Sequence, residues 1–123
     1  MILHIDFQSS QPLYLQLRDQ VVVAIADGEL APGEHLPTIR ALAEESGINM
    51  MTVSKAYQLL KQEGYIATDR RSGAVVLERK NNTTVSPESI RRLRLLVSEL
   101  RLAGMDEKAL LALCRDFYKE GEK

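Results

Sequence analysis

Arg40, Asn49, Thr52, Ser54 and Lys55 place a guanidinium, a carboxamide, two hydroxyls and an ammonium in one short stretch of a 123-residue chain. Side chains of these types donate and accept hydrogen bonds to a polyanion and to base edges. A guanidinium can pair with guanine and an ammonium with phosphate. Met51, among them, would add apolar contact with thymine methyls in a major groove. That chemistry requires the set to stand on one exposed face, at or before the start of a helix that enters the groove. Turnover has far less support: Tyr14, Ser54 and Cys114 each lack a base at a sensible position, and there is no glycine-rich phosphate loop.

The elements that would present those side chains lie in residues 36–64, LPTIRALAEESGINMMTVSKAYQLLKQEG. Thr38 can cap a short helix through Ala41, Leu42 and Ala43, with Leu42 inward. Gly47 supplies the left-handed end of that helix, and Ile48 tucks beneath the turn. Asn49 caps a second, longer helix whose buried stripe would be Val53, Ala56, Tyr57 and Leu60. Two helices joined this way, the second opening on polar side chains, make a helix-turn-helix. An ordinary helical hairpin is the alternative from this segment alone.

The residues beyond the second helix favour the helix-turn-helix. Gly64 ends the helix, and Tyr65–Thr68 and Ala74–Glu78 are β-prone runs joined by Asp69-Arg70-Arg71-Ser72-Gly73. A hairpin with a basic tip after a helix-turn-helix is a winged helix. Arg70 and Arg71 would reach phosphates or the minor groove, with Gly73 allowing close backbone approach.

Pro12-Leu13-Tyr14-Leu15-Gln16-Leu17, Gly28 to Arg40, Thr52-Val53-Ser54-Lys55-Ala56-Tyr57 and Glu63-Gly64-Tyr65-Ile66, in order from about Gln11 to Glu78, give the chain a resemblance to the GntR-type bacterial transcription regulators. The family's G-x-x-LPS-x-R appears as Gly33-Glu34-His35-Leu36-Pro37-Thr38-Ile39-Arg40. It implies that Arg40 contacts DNA and that Thr38 caps its helix against a phosphate. The V-S-[RK]-A-Y string and the short tail are most similar to the YtrA subfamily, which implies a transporter operon of the ABC type as target. Two departures stand out: Asn49-Met50-Met51-Thr52 replaces the usual N-P-N-T, and Arg71 stands where the wing's first glycine is expected. DNA binding tolerates both, but neither reveals which sequence is bound.

On either side of this region the chain is also readable. Ile2–Asp6 alternates as a small strand or extended arm, Gln8–Gln11 is a polar link, and Pro12 suits the first position of a helix. That helix carries Leu13, Leu17, Val21, Ala24 and Ile25 on one face, stops at Gly28, and braces the recognition pair. The expected domains are a winged helix-turn-helix over 1–79, a linker over 80–85 and a helical hairpin over 86–123. Ser86-Pro87-Glu88-Ser89 starts the hairpin's first helix, with Ile90, Leu93, Leu96, Val97, Leu100 and Ala103 apolar before Gly104. Asp106 caps the second, with Leu110, Leu113, Cys114, Phe117 and Tyr118 inward. Such a pair buries only part of its leucines, and Leu95, Leu102 and Leu111 are surplus. Dimerisation through Leu93, Leu96, Val97, Leu100, Leu110, Leu113 and Phe117 is expected. Packing back onto the winged domain is the alternative.

The expected fold class is therefore mainly α with a small β-hairpin wing. Hydrophobic residues make up 45% of the chain, enough for a core, and no apolar run is long enough to cross a membrane. With no basic-then-apolar leader, a cytoplasmic protein is expected. The single Cys114 excludes an internal disulfide, and neither cysteine nor histidine spacing suggests a metal. No cofactor is expected. Net charge is −1, and residues 1–80 hold eight Lys or Arg against ten Asp or Glu. An acidic balance weighs mildly against DNA, so Arg40, Lys55, Arg70, Arg71 and Lys80 must be concentrated on one face. Two helices of the tail's size cannot enclose a metabolite cavity, and a small-molecule effector stays open. The function expected is a homodimeric, sequence-specific regulator of transcription, a repressor acting on a palindromic operator. A helical adaptor using the winged fold for protein contacts is the second reading.

Overall fold

In the computed structural model, residues 3–69, 73–78 and 84–121 are described. The chain forms two compact units, residues 1–79 and 80–123.

The first unit holds three helices and a hairpin: α1 (Leu13–Ala26), α2 (Ile39–Ser46), α3 (Met50–Gln62), β1 (Ile66–Asp69) and β2 (Gly73–Val76). Pro12 stands one place before α1, as its cap residue; its carbonyl accepts the amides of Leu15 and Gln16. Local capping sets the next boundaries. Thr38 Oγ1 accepts the Ala41 amide at 3.0 Å, and Asn49 Oδ1 accepts the Met51 amide at 2.7 Å. Between them Gly47 takes φ +74°, where an L side chain is strained. Leu17 and Val21 of α1 and Val53 and Leu60 of α3 are fully buried, joined by Leu42, Ile48, Ile66 and Val76. Burying each such side chain contributes about 1.5–3 kcal/mol, and this stripe locks α3 against α1 and α2.

The wing differs in extent from the expectation. Asp69 and Gly73 pair with each other and belong to the ladder, which runs Ile66 opposite Val76 to Asp69 opposite Gly73. The strands claim those two residues because their backbones complete another antiparallel pair. A third segment joins them: the Leu36 amide donates to Ala74, the Gly33 amide to Val76, and the Val76 amide to Glu34. Residues 33–36 thus cover the outer edge of β2.

Residues 3–6 make no strand. Two glutamines on α1 serve as their pairing partners instead. Gln20 accepts the His4 amide and donates to the His4 carbonyl, at 2.7 and 2.6 Å. Gln16, buried, does the same for Asp6 at 2.9 and 3.0 Å and also donates to Gln11. A carboxamide presents a donor and an acceptor as a peptide group does, so each glutamine replaces one rung of a ladder. Ile2 lies outside the described residues.

The second unit contains α4 (Pro87–Leu102) and α5 (Glu107–Gly121). Ser86 accepts the Ser89 amide, Pro87 opens α4, and Asp106 accepts the Ala109 amide. At the end of α4, Met105 donates to the Leu100 carbonyl across Gly104, a Schellman closure. No residue of 84–120 is buried. Val97, Leu100, Leu110, Leu113 and Cys114 are half-buried, whereas Leu93 and Leu96 are exposed. Phe117 and Tyr118, expected inward, are 57% and 79% exposed. Two helices offer each other one shared seam, and these rings fall outside it.

Candidate nucleic-acid interface

The buried stripe of α3 decides which of its side chains face outward. Residues are about 100° apart around a helix, so opposite Val53, Ala56, Tyr57 and Leu60 runs a ridge of Met51, Lys55, Gln58 and Gln62. All four are exposed, Met51 at 81%. An apolar side chain so open at the head of the helix is consistent with contact to thymine methyls. Thr52 and Ser54 are two residues apart, about 200° around the axis. They stand half-buried on opposite flanks of the ridge, so the expected polar set spans three lines of α3.

One flank faces the wing. Thr38, Ser54 and Gly73 line a common groove of about 410 Å³ with Gln58, Lys61, Thr68 and Asp69. Gln58 and Lys61 were missed from the sequence, although both follow Ser54 at helical spacing. The buried stripe, read as defining its own opposite face, would have revealed Gln58. Arg40, in the first turn of α2, is exposed. Asn49 is exposed too, but its Oδ1 is engaged by the Met51 amide, which leaves its Nδ2 hydrogens as the free donors. Arg70 and Arg71 lie outside the described residues.

Two contacts hold this surface in place. Tyr57 Oη donates to the Pro37 carbonyl at 2.8 Å, tying α3 to the residue just before the Thr38 cap. Burial disfavours the phenolate and pushes the Tyr57 pKa up to about 12. Behind α3, Arg18 pairs with both carboxylate oxygens of Glu63 at 2.7 and 2.8 Å and with Asp19 at 2.9 Å. Hydrogen bonding to Glu63 is the main cause of a raised Arg18 pKa, partly offset by desolvation. Its charge is spent on fixing the C-terminal end of α3. Lys55 instead lies over the Tyr14 ring of α1, 4.0 Å from the centroid.

Among the described residues no three His, Cys, Asp or Glu side chains cluster as a metal would require. No helix among them is long and apolar enough to cross a membrane. The surface of α3 offers donors, cations and the exposed apolar side chains of Met50 and Met51 on a cylinder of major-groove size.

Comparison with known proteins gives the same picture. Residues 13–76 match the family model described as bacterial regulatory proteins, gntR family. The chain is 34% identical over 112 residues to the HTH-type transcriptional repressor YtrA of Bacillus subtilis, covering 89% of this chain and 86% of that one. It is similar to the structure of YtrA from Sulfolobus acidocaldarius, a GntR-family transcription factor, with a TM-score of 0.65, 37% identity and coverage of 83% and 99%. It is also similar to the DNA-binding domain of AraR in complex with operator ORX1, with a TM-score of 0.56, 25% identity and coverage of 62% and 98%. The helix-turn-helix, its wing and these relatives establish that the chain belongs to the gntR family of bacterial regulatory proteins and is a DNA-binding transcription regulator.

Proposed function

We propose that this regulator is a homodimeric, cytoplasmic repressor that sets α3 of each protomer into the major groove of a palindromic operator. The observation that carries the reading is the open ridge of α3, Met51, Lys55 and Gln58, together with an exposed Arg40 in the first turn of α2. In this role Arg40 pairs with a guanine, while Asn49, Thr52, Ser54 and Met51 meet base edges. Lys55 and the wing residues Arg70, Arg71 and Gly73 hold the sugar–phosphate backbone. Thr38 caps α2 against a phosphate.

The dimer is supported by the second unit, whose helices bury no residue among those described and leave Leu93, Leu95, Leu96, Leu102 and Phe117 exposed. A second copy offers a matching apolar face under two-fold symmetry. Leu93, Leu96, Val97, Leu100, Leu110, Leu113 and Phe117 would form that contact, with residues 80–85 linking it to the winged domain. The likeness to YtrA makes a small operon, one encoding an ABC-type transporter, the proposed target.

Footprinting the full-length protein on its own promoter tests this reading. Two protected half-sites related by a two-fold axis are expected, their centres about 10 bp or a multiple of it apart. Retention on DNA only at very low salt, with no preferred sequence, would favour the adaptor reading instead.

A further inference from the structure

Lys55 ends a flexible four-carbon stem, and an exposed lysine ordinarily spreads over many rotamers. Here its ammonium sits 4.0 Å from the centre of the Tyr14 ring. Tyr14 belongs to the first turn of α1 and is half-buried, packed against the core of the winged domain. The ring is therefore a fixed surface, and the mobile lysine is the partner that gains order. No carboxylate pairs with Lys55 among the described residues, whereas Arg18 on the same helix as Tyr14 is neutralised by Glu63 and Asp19. A carboxylate would cancel the charge and occupy the N–H donors. A ring face attracts the cation through its quadrupole and leaves both charge and donors for an anion.

We propose that Tyr14 is a positioning residue of the DNA interface: its ring face holds the Lys55 ammonium in place to meet a backbone phosphate. This rests on the reading of Lys55 as a phosphate contact. It gives α1 a part in recognition beyond bracing the core, because it lowers the ordering cost that Lys55 would otherwise meet on binding. A cation–π contact at an exposed site corresponds to about two- to fivefold in affinity.

The test measures binding of the full-length protein to a random-sequence DNA duplex by fluorescence anisotropy over a range of salt concentrations. Lys55→Ala should weaken binding and flatten the salt slope by about one unit. Tyr14→Phe, which keeps the ring, should bind as wild type. Tyr14→Leu should lose about two- to fivefold in the Lys55 background and nothing further in the Lys55→Ala background. Because Tyr14→Leu also disturbs packing, a second series keeps the shape. Tyr14→Phe with a progressively fluorinated ring withdraws electron density from the face, and affinity should fall step by step while thermal stability holds. Equal binding across the fluorinated series, or equal losses for Tyr14→Leu in both backgrounds, would overturn the role of Tyr14 alone. An unchanged affinity and slope for Lys55→Ala would overturn the phosphate contact itself, and the Tyr14 role with it.

Discussion

Arg40 and Tyr57 show how side chains near one helix start divide between recognition and support. Arg40 is exposed on α2, and its expected role is tested by truncation. Arg40→Ala should cost about 1–3 kcal/mol on the operator and relax selection at a single base pair, measured by competition among operator variants. Undiminished operator affinity would remove Arg40 from the interface. Tyr57 contributes by anchoring. Its hydroxyl bond to Pro37 should be worth about 0.5–1.5 kcal/mol, so Tyr57→Phe is expected to be less stable than wild type at pH 7. Burial raises the folded pKa to about 12, above the ordinary value of 10.0. Its contribution is then complete below pH 10 and is lost as pH rises toward 12, because the unfolded chain releases the proton first. Urea titrations of both proteins across pH 8–12 should show the wild-type advantage shrinking above pH 10 and Tyr57→Phe lacking that component. A constant difference would mean that the phenol is not buried as described.

At the scale of elements, the turn between α2 and α3 aims the recognition surface. Gly47 holds φ +74°, and a Cβ there would meet nothing within 4 Å. The penalty for Gly47→Ala is therefore conformational, roughly 1–2 kcal/mol of stability. Urea denaturation should register it as a lower midpoint with unchanged slope, and a neutral substitution would contradict the left-handed turn. The caps on either side were legible because they are local: Thr38 to Ala41 and Asn49 to Met51 each span three residues or fewer. The buried stripe of α3 was legible for the same reason, since periodicity alone defines a face. The ridge depends on helix geometry more than on residue type. Polar type singled out Thr52 and Ser54, whereas helix geometry places Gln58 in line with Lys55 and leaves those two on the flanks.

For the whole molecule, the question is what the second unit does. Helices that bury no residue between 84 and 120 are hard to account for by their own contacts, since ordering the chain must be offset by burial. Deleting residues 86–123 should leave the winged unit folded, because among the described residues every buried one lies at or before Val76. The truncated protein is expected to be monomeric and to bind operator far more weakly. Sedimentation of the full-length protein as a monomer at micromolar concentration would sink the dimer, and with it the palindromic operator.

The sequence by itself determined the caps of α2 and α3, the buried stripe of α3, the presence of a hairpin after it and the family. Each of these depends on neighbours in the chain or on a periodic pattern. Only the tertiary structure decided that Gln16 and Gln20 act as rungs for residues 4 and 6, and that residues 33–36 cover the edge of β2. It likewise decided that Lys55 rests on Tyr14 and that Phe117 and Tyr118 stay open. These outcomes join residues far apart in the chain, or compare surfaces of two helices once packed. Neither a cap nor a period encodes such a meeting, because a glutamine or lysine on an outer face reads the same whether solvent, backbone or an aromatic ring receives it.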